Sequence, residues 1–242
     1  VNHVIIKGGT VTNVVGGAVS GANASAQKNE VRIEGGTVTN VIGGGGTAAA
    51  AGNMSENTVT ITGGTVSRVN ATTPGYVIGG DSRVLTSLSR MNVINLGDDE
   101  GNFTADLSNA QLWGTSYNGN VFANDSEKIA GNTLNVKAKS GATIAKVRNI
   151  EKFNFQLHDD TTKNAPLLTL TDADGFGNVS ADGTAVQVKW DNVAADLSKI
   201  TTEKKAAKIQ GKNTYVAMRA ANPSLKFSDY AKRFADHAGV YE

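Results

Sequence analysis

The chain has no cysteine, only three prolines, and aromatic residues at 6% of its 242 positions. Without cysteine it has neither disulfides nor thiolate metal sites, although that absence alone does not fix the compartment. Few aromatics exclude a large globular core built on Phe and Trp, and suit a thin core filled by Val, Ile and Leu. No apolar run reaches the length of a membrane-spanning helix. The segment before the first apolar pair has no signal-peptide pattern, so the chain reads as a piece of something longer. The three histidines, His3, His158 and His237, are scattered and have no metal-ligand spacing. There is no G-x-S-x-G motif and no phosphate-loop lysine, and Gly43–Gly46 is followed by no helix start.

Glycine, by contrast, is abundant at 28 residues, and much of it lies in a repeat. VIIKGGTVTNVVGG (Val4–Gly17), VRIEGGTVTNVIGG (Val31–Gly44) and VTITGGTVSRV (Val59–Val69) are copies of one unit, spaced by 27 and then 28 residues. A fixed period of this length marks a stacked-repeat architecture. Within each copy, apolar and polar residues alternate with the period of a strand. Val4, Val31, Val59 and Ile94 are expected to stack as one inward column. Ile6, Ile33, Ile61 and Leu96 form a second, while Ile5, Arg32 and Thr60 face outward. The first Gly-Gly pair allows a left-handed corner, and Thr-Val-Thr/Ser and a Val-Val or Val-Ile run supply a second and a third short strand. An asparagine precedes the first apolar residue of each copy (Asn2, Asn29, Asn57, then Asn92), and these amides are expected to form a ladder. The step from Asn57 to Asn92 is 35 residues, and the excess is placed in an inserted loop at Asn70–Val77.

The rest of the chain is less regular. Asn132–Val136 restores the Asn-x-apolar signature, and Val147–Leu157, Leu167–Leu170 and Thr184–Trp190 alternate as strands. Residues 1–192 carry 14 Lys+Arg against 17 Asp+Glu, whereas residues 193–242 carry nine against five. The basic tail reads as a solvated face, with no nucleic-acid contact expected. Phe227, Tyr230, Phe234 and Ala238 have helical spacing behind Ser224, which predicts a short amphipathic helix over residues 225–238. The fold expected is therefore all-β: a right-handed parallel β-helix with regular coils over 1–130, irregular C-terminal coils or a cap over 131–192, and a basic tail with one short helix over 193–242.

The iterated N-x-V-x-I-x-G-G-T-V units resemble the passenger regions of bacterial autotransporter adhesins, the haemagglutinin-like surface proteins. Asn132–Leu157 followed by Pro166–Asp172 looks like the passenger end that precedes the membrane anchor in such proteins. The resemblance covers roughly residues 1–190. It implies adhesion, autoaggregation or biofilm formation at the bacterial cell surface, or as a secreted protein, with a host or bacterial surface protein or glycan as partner, or self-association. It also implies an outer-membrane barrel, for which the tail after Trp190 offers no strand series, so membrane contact is expected only through an anchor elsewhere. It carries over no residue-level site.

Two other classes compete. A glycan-active β-helix enzyme needs clustered carboxylates on one exposed face. The repeats offer only the mixed column Lys7, Glu34 and Thr62, read as a cross-strand ion pair, while Glu30 and Glu56 lack evident partners. Asp98-Asp99-Glu100 and Asp159-Asp160 read as solvated turns. A purely structural stalk is the third class. No cofactor and no catalytic residue is expected. The binding candidates are Asn70, Thr72, Thr73 and Tyr76, in the inserted loop, where sequence varies without disturbing the stack. Asp172, Asp174 and Asn178 resemble the start of a calcium loop, but Phe176 stands at the third acid and Gly183 at the twelfth position, so a glycine-rich turn is preferred there.

Overall fold

The computed structural model describes residues 1–46, 52–82, 87–117, 131–161, 166–172, 178–179, 185–186, 193–199 and 218–220. Among these there are strands and no helix. The helix expected over 225–238 lies outside the described residues.

The strands build two parallel sheets, and the chain passes from one to the other in each repeat. The first sheet runs β1 (His3–Ile6), β3 (Glu30–Ile33), β5 (Thr58–Ile61), β8 (Val93–Leu96), β10 (Thr133–Val136), β12 (Lys152–His158) and β16 (Val193–Lys199). The second runs β2 (Thr10–Val19), β4 (Thr37–Gly46), β7 (Gly75–Ser82), β9 (Leu107–Tyr117), β11 (Ala142–Arg148), β13 (Leu168–Leu170) and β17 (Met218–Ala220), and β6 (Thr65–Val66) also pairs with β4. β14 (Asn178–Val179) and β15 (Ala185–Val186) form a separate antiparallel pair. This is a β-helix-like or solenoid-like course.

The register follows the apolar period. Val4, Val31, Val59, Ile94, Leu134 and Phe153 are successive partners across the first sheet, as are Ile6, Ile33, Ile61, Leu96, Val136 and Phe155. From Val31 and Ile33 onward every member of both columns is buried. Val14, Val41, Val77, Leu112 and Val147 face them from the second sheet and complete one continuous core. Full burial of such a side chain contributes roughly 1.5–3 kcal/mol. The columns reach their largest side chains at Phe153 and Phe155, which pair onward with Val193 and Ala195 of β16.

Two expectations need correction. The anticipated second and third strands of each coil are one strand in the first two coils, because parallel pairing continues through Asn13 and Asn40 even though Thr39-Asn40 present two successive outward residues between buried Val38 and Val41. They separate into β6 and β7 only in the third coil, where the insertion falls between them. The insertion is also displaced from Asn70–Val77. Val38 pairs with Val66, Asn40 with Tyr76 and Val41 with Val77, and Thr39 Oγ1 meets Ser67 Oγ at 3.3 Å. The extra residues are therefore Arg68–Gly75, and Tyr76 belongs to the sheet.

Both glycine pairs have specific reasons. At the first corner Gly9, Gly36 and Gly64 have φ of 82°, 83° and 82°, a region L-residues rarely adopt. At the second corner the reason is space. A Cβ on Gly79 would lie 2.5 Å from the Cβ of Asn92, and one on Gly44 would lie 2.5 Å from Asn57 Nδ2.

The asparagines that crowd these glycines form the expected ladder. The Oδ1 of Asn29, Asn57, Asn92 and Asn132 each accepts two hydrogen bonds from the asparagine one coil earlier, one from its main-chain N–H and one from its side-chain amide, at 2.9–3.2 Å. Asn57 also donates to the Ala26 carbonyl and Asn132 to that of Ser89. The ladder stops after Asn132, because Thr133 pairs with Lys152 and so the next coil presents Glu151 at this position.

The residue before each buried ladder amide is left-handed: Lys28 at φ 57°, Glu56 at 61°, Met91 at 55° and Gly131 at 77°. A left-handed non-glycine residue costs roughly 1–2 kcal/mol. Met91→Gly is therefore expected to stabilise the fold by about 0.5–1 kcal/mol after the entropy cost of glycine is counted. Met91 is 44% exposed, so little packing is lost. Thermal unfolding of the variant should show a raised midpoint, and a lowered one would refute strain at this corner.

Candidate functional site

The outward face of the first sheet carries a column that the repeat places in register: Ile5, Arg32, Thr60, Asn95, Asn135 and Asn154. Here a second amide ladder forms. Asn154 donates to Asn135 Oδ1 at 2.8 Å, Asn135 to Asn95 Oδ1 at 2.7 Å, and Asn95 to Thr60 Oγ1 at 3.0 Å. Thr60 and Asn95 point away from the core yet are only 7% and 8% exposed, so they floor a depression. That depression is a groove of about 240 Å³, lined by Arg32, Thr60, Asn95, Gly97, Asp98, Asp99, Glu100 and Lys137.

One wall is the turn that follows β8. Gly97 and Gly101 have φ of 97° and 78° and reverse the chain. Asp98 organises the turn: Oδ1 accepts from the main-chain N–H of Glu100 (3.1 Å) and of Asn102 (2.8 Å), and Oδ2 accepts from Asn102 Nδ2 (3.0 Å). Lys137, just past β10, donates to Asp99 at 2.6 Å, and Arg32 donates its Nε–H to Glu34 at 2.6 Å.

These contacts set the charge states. The Lys137 hydrogen bond, and next the Lys137 charge, hold Asp99 below the usual carboxylate range. Burial pushes the Asp98 carboxyl up, but the Asn102 side-chain and main-chain hydrogen bonds, the Glu100 main-chain N–H and the Arg32 charge together outweigh it and lower the group. Both carboxylates are therefore ionised at neutral pH. The arrangement offers fixed hydrogen-bonding groups of both polarities, and these two acids carry no proton to transfer.

The inserted loop is a self-contained turn. Asn70 Oδ1 accepts from Thr72 N, Thr72 Oγ1 and Thr73 N at 3.0, 3.0 and 2.9 Å. Arg68 ties its base to Asn109 Oδ1 at 2.8 Å. Asn70 and Thr72 are exposed, with Thr73 less so. Tyr76 stands apart from them in β7, edge-on to Trp113 with centroids 5.9 Å apart and planes at 82°. Burial raises its hydroxyl pKa. The four binding candidates thus divide between a tight exposed turn and an aromatic pair on the second sheet.

Of the calcium candidates, Asp172 lies 3.6 Å from Lys146 Nζ, Asn178 lies in β14, and Asp174 lies outside the described residues. Among the described residues no three His, Cys, Asp or Glu side chains converge as metal ligands.

The acids of the repeats are paired across coils. Lys7 meets Glu34 at 3.7 Å, as its column suggested. Glu30 and Glu56, expected to lack partners, meet His3 at 2.9 Å and Lys28 at 3.6 Å. In each pair the stacking of coils brings together positions about one period apart.

The groove residues Arg32, Thr60, Asn95 and Lys137 were not singled out by sequence. The usable signal was the shared outward position of Asn95 in Val93-Ile94-Asn95-Leu96 and Asn135 in Thr133-Leu134-Asn135-Val136. A comparison with known proteins adds no relative: no family model matches the chain, and neither curated proteins nor solved structures give a match.

Proposed function

We propose that this chain is a right-handed parallel β-helix that acts without catalysis, as an adhesive piece of a bacterial cell-surface or secreted protein. One observation carries the reading. The two sheets continue coil after coil, and their outward polar groups are largely engaged in amide ladders and cross-coil ion pairs, which suits a long, rigid contact surface. The N-x-V-x-I-x-G-G-T-V resemblance to autotransporter passengers points the same way. Partners of this reading are surface proteins or glycans of host or bacterial cells, or another copy of the protein. A stalk that only holds another domain away from the cell is the nearest competing role, and the regularity of the coils suits it equally.

Display of residues 1–242 on an unrelated bacterial surface anchor separates these roles. The expected result is adhesion to host cells or clumping of the displaying cells above that of the anchor alone. Behaviour equal to the anchor alone would leave the stalk and sink the adhesin. Turnover of a polysaccharide by the purified chain, lost in Asp99→Asn, would overturn the non-enzymatic part.

A further inference from the structure

We propose that the groove on the outward face of the first sheet binds one neutral saccharide unit of a glycan. The inference deepens the adhesive reading and rests on it only for its biological setting.

The ligand class follows from the groups the groove leaves over. Asp98 already accepts from three N–H donors and Asp99 is engaged by Lys137, so the acidic turn offers no pair of uncommitted carboxylates to a divalent cation. Anions are disfavoured as well: Asp98, Asp99 and Glu100 outnumber Arg32 and Lys137 in the lining. An apolar ligand would find almost no apolar side chain there.

What remains is a small set of directional groups. Thr60 Oγ1 accepts from Asn95, and its own hydroxyl hydrogen meets no acceptor among the described residues. Arg32 uses Nε–H on Glu34 and keeps its two terminal amino groups. The Glu100 carboxylate, in the exposed wall, accepts from no described donor. Two donors and one acceptor around a polar floor match vicinal hydroxyls, each of which both donates and accepts. The volume of about 240 Å³ is below the roughly 300–1,000 Å³ of sites for drug-sized ligands, and so suits a single sugar ring.

The amide ladder prepares the floor. The Asn154, Asn135 and Asn95 amides all point their N–H groups toward Thr60, so their dipoles align and fix the Thr60 oxygen as an acceptor. The hydroxyl hydrogen is thereby turned to the groove, and little ordering is left for binding.

The test uses the purified 242-residue chain against immobilised neutral glycans ending in hexose, 6-deoxyhexose, N-acetylhexosamine or pentose, alongside sulfated and carboxylated glycans. Binding to at least one neutral terminus is expected. Arg32→Ala and Glu100→Gln should each weaken it roughly tenfold or more, the loss expected from one charge-assisted hydrogen bond. Thermal midpoints near that of the parent would show that both variants fold. No binding across the neutral panel overturns the proposal, as does a preference for the acidic glycans or unchanged affinity in both folded variants. Cell adhesion that persists in Arg32→Ala, without neutral-glycan binding by the parent, would remove the saccharide site and leave the adhesive reading standing.

Discussion

Ile33→Asp should abolish the cooperative fold of the first coils, at a cost of at least about 4 kcal/mol. Ile33 is fully buried between Ile6 of one coil and Ile61 of the next. The substitution removes roughly 1.5–3 kcal/mol of apolar burial. It also places a carboxylate in a column with no cation, where it must stay charged without a partner or take up a proton. Each coil meets only its neighbours, so a defect in the second coil weakens both interfaces it makes. Ile5→Asp is the control, since Ile5 is 53% exposed on the outward face and the change there should stay within about 0.5 kcal/mol. Urea unfolding followed by far-UV circular dichroism compares the two. A midpoint for Ile33→Asp equal to that of the parent would mean that the inward column is misassigned.

Period-two alternation carried most of the fold. Val31/Ile33 and Val59/Ile61 announce which side faces the core, and the spacing of Asn29, Asn57 and Asn92 sets which strands are partners. What sequence could not place was the edge of the insertion. Arg68-Val69 imitates Asn40-Val41 as closely as Tyr76-Val77 does, and only the hydrogen-bonded register shows that the latter pair occupies the strand. The left-handed corner before each ladder amide was also hidden. Lys28, Glu56 and Met91 share no chemistry, because the ladder imposes their backbone whatever the side chain. Gly131 is the one residue there with the expected identity.

The groove was less legible than the fold. Its floor comes from one outward column and its wall from the turn Asp98–Asn102. Lys137 joins them from the next coil, because Val136 is the partner of Leu96 and the residue after it therefore lies beside the turn. The run Asp98-Asp99-Glu100 suggests a solvated turn, and Asp98 does build one. The turn also folds back against Arg32 and encloses Thr60 and Asn95. The inserted loop varies from the repeat, yet Asn70 consumes much of its polarity internally. Variation marks tolerance of the stack, whereas enclosure depends on which coils meet.

Asn57 provides the sharpest test of the buried ladder, because its amide both accepts and donates while fully buried. Its Oδ1 accepts from Asn29 N and Nδ2, and its Nδ2 donates to the Ala26 carbonyl and Asn92 Oδ1. Asn57→Ala would orphan the Asn29 donors and leave the Ala26 carbonyl unpaired. At roughly 1–3 kcal/mol for each buried group left unsatisfied, a loss of about 3–5 kcal/mol is expected. Asn57→Asp separates the hydrogen bonds from the shape. A carboxylate keeps both acceptor bonds from Asn29, but it faces Asn92 Oδ1 and the Ala26 oxygen with no proton to give. Burial raises its folded-state pKa above the unfolded value near 3.9. The folded form therefore binds the proton more tightly, so the penalty of the substitution is least at low pH and grows as pH rises from the unfolded value through the folded one. Stability measured relative to the parent at pH 4 and pH 7 should show the larger deficit at pH 7. A deficit independent of pH, or an Asn57→Ala variant as stable as the parent, would mean that the ladder is a consequence of stacking and contributes little to it.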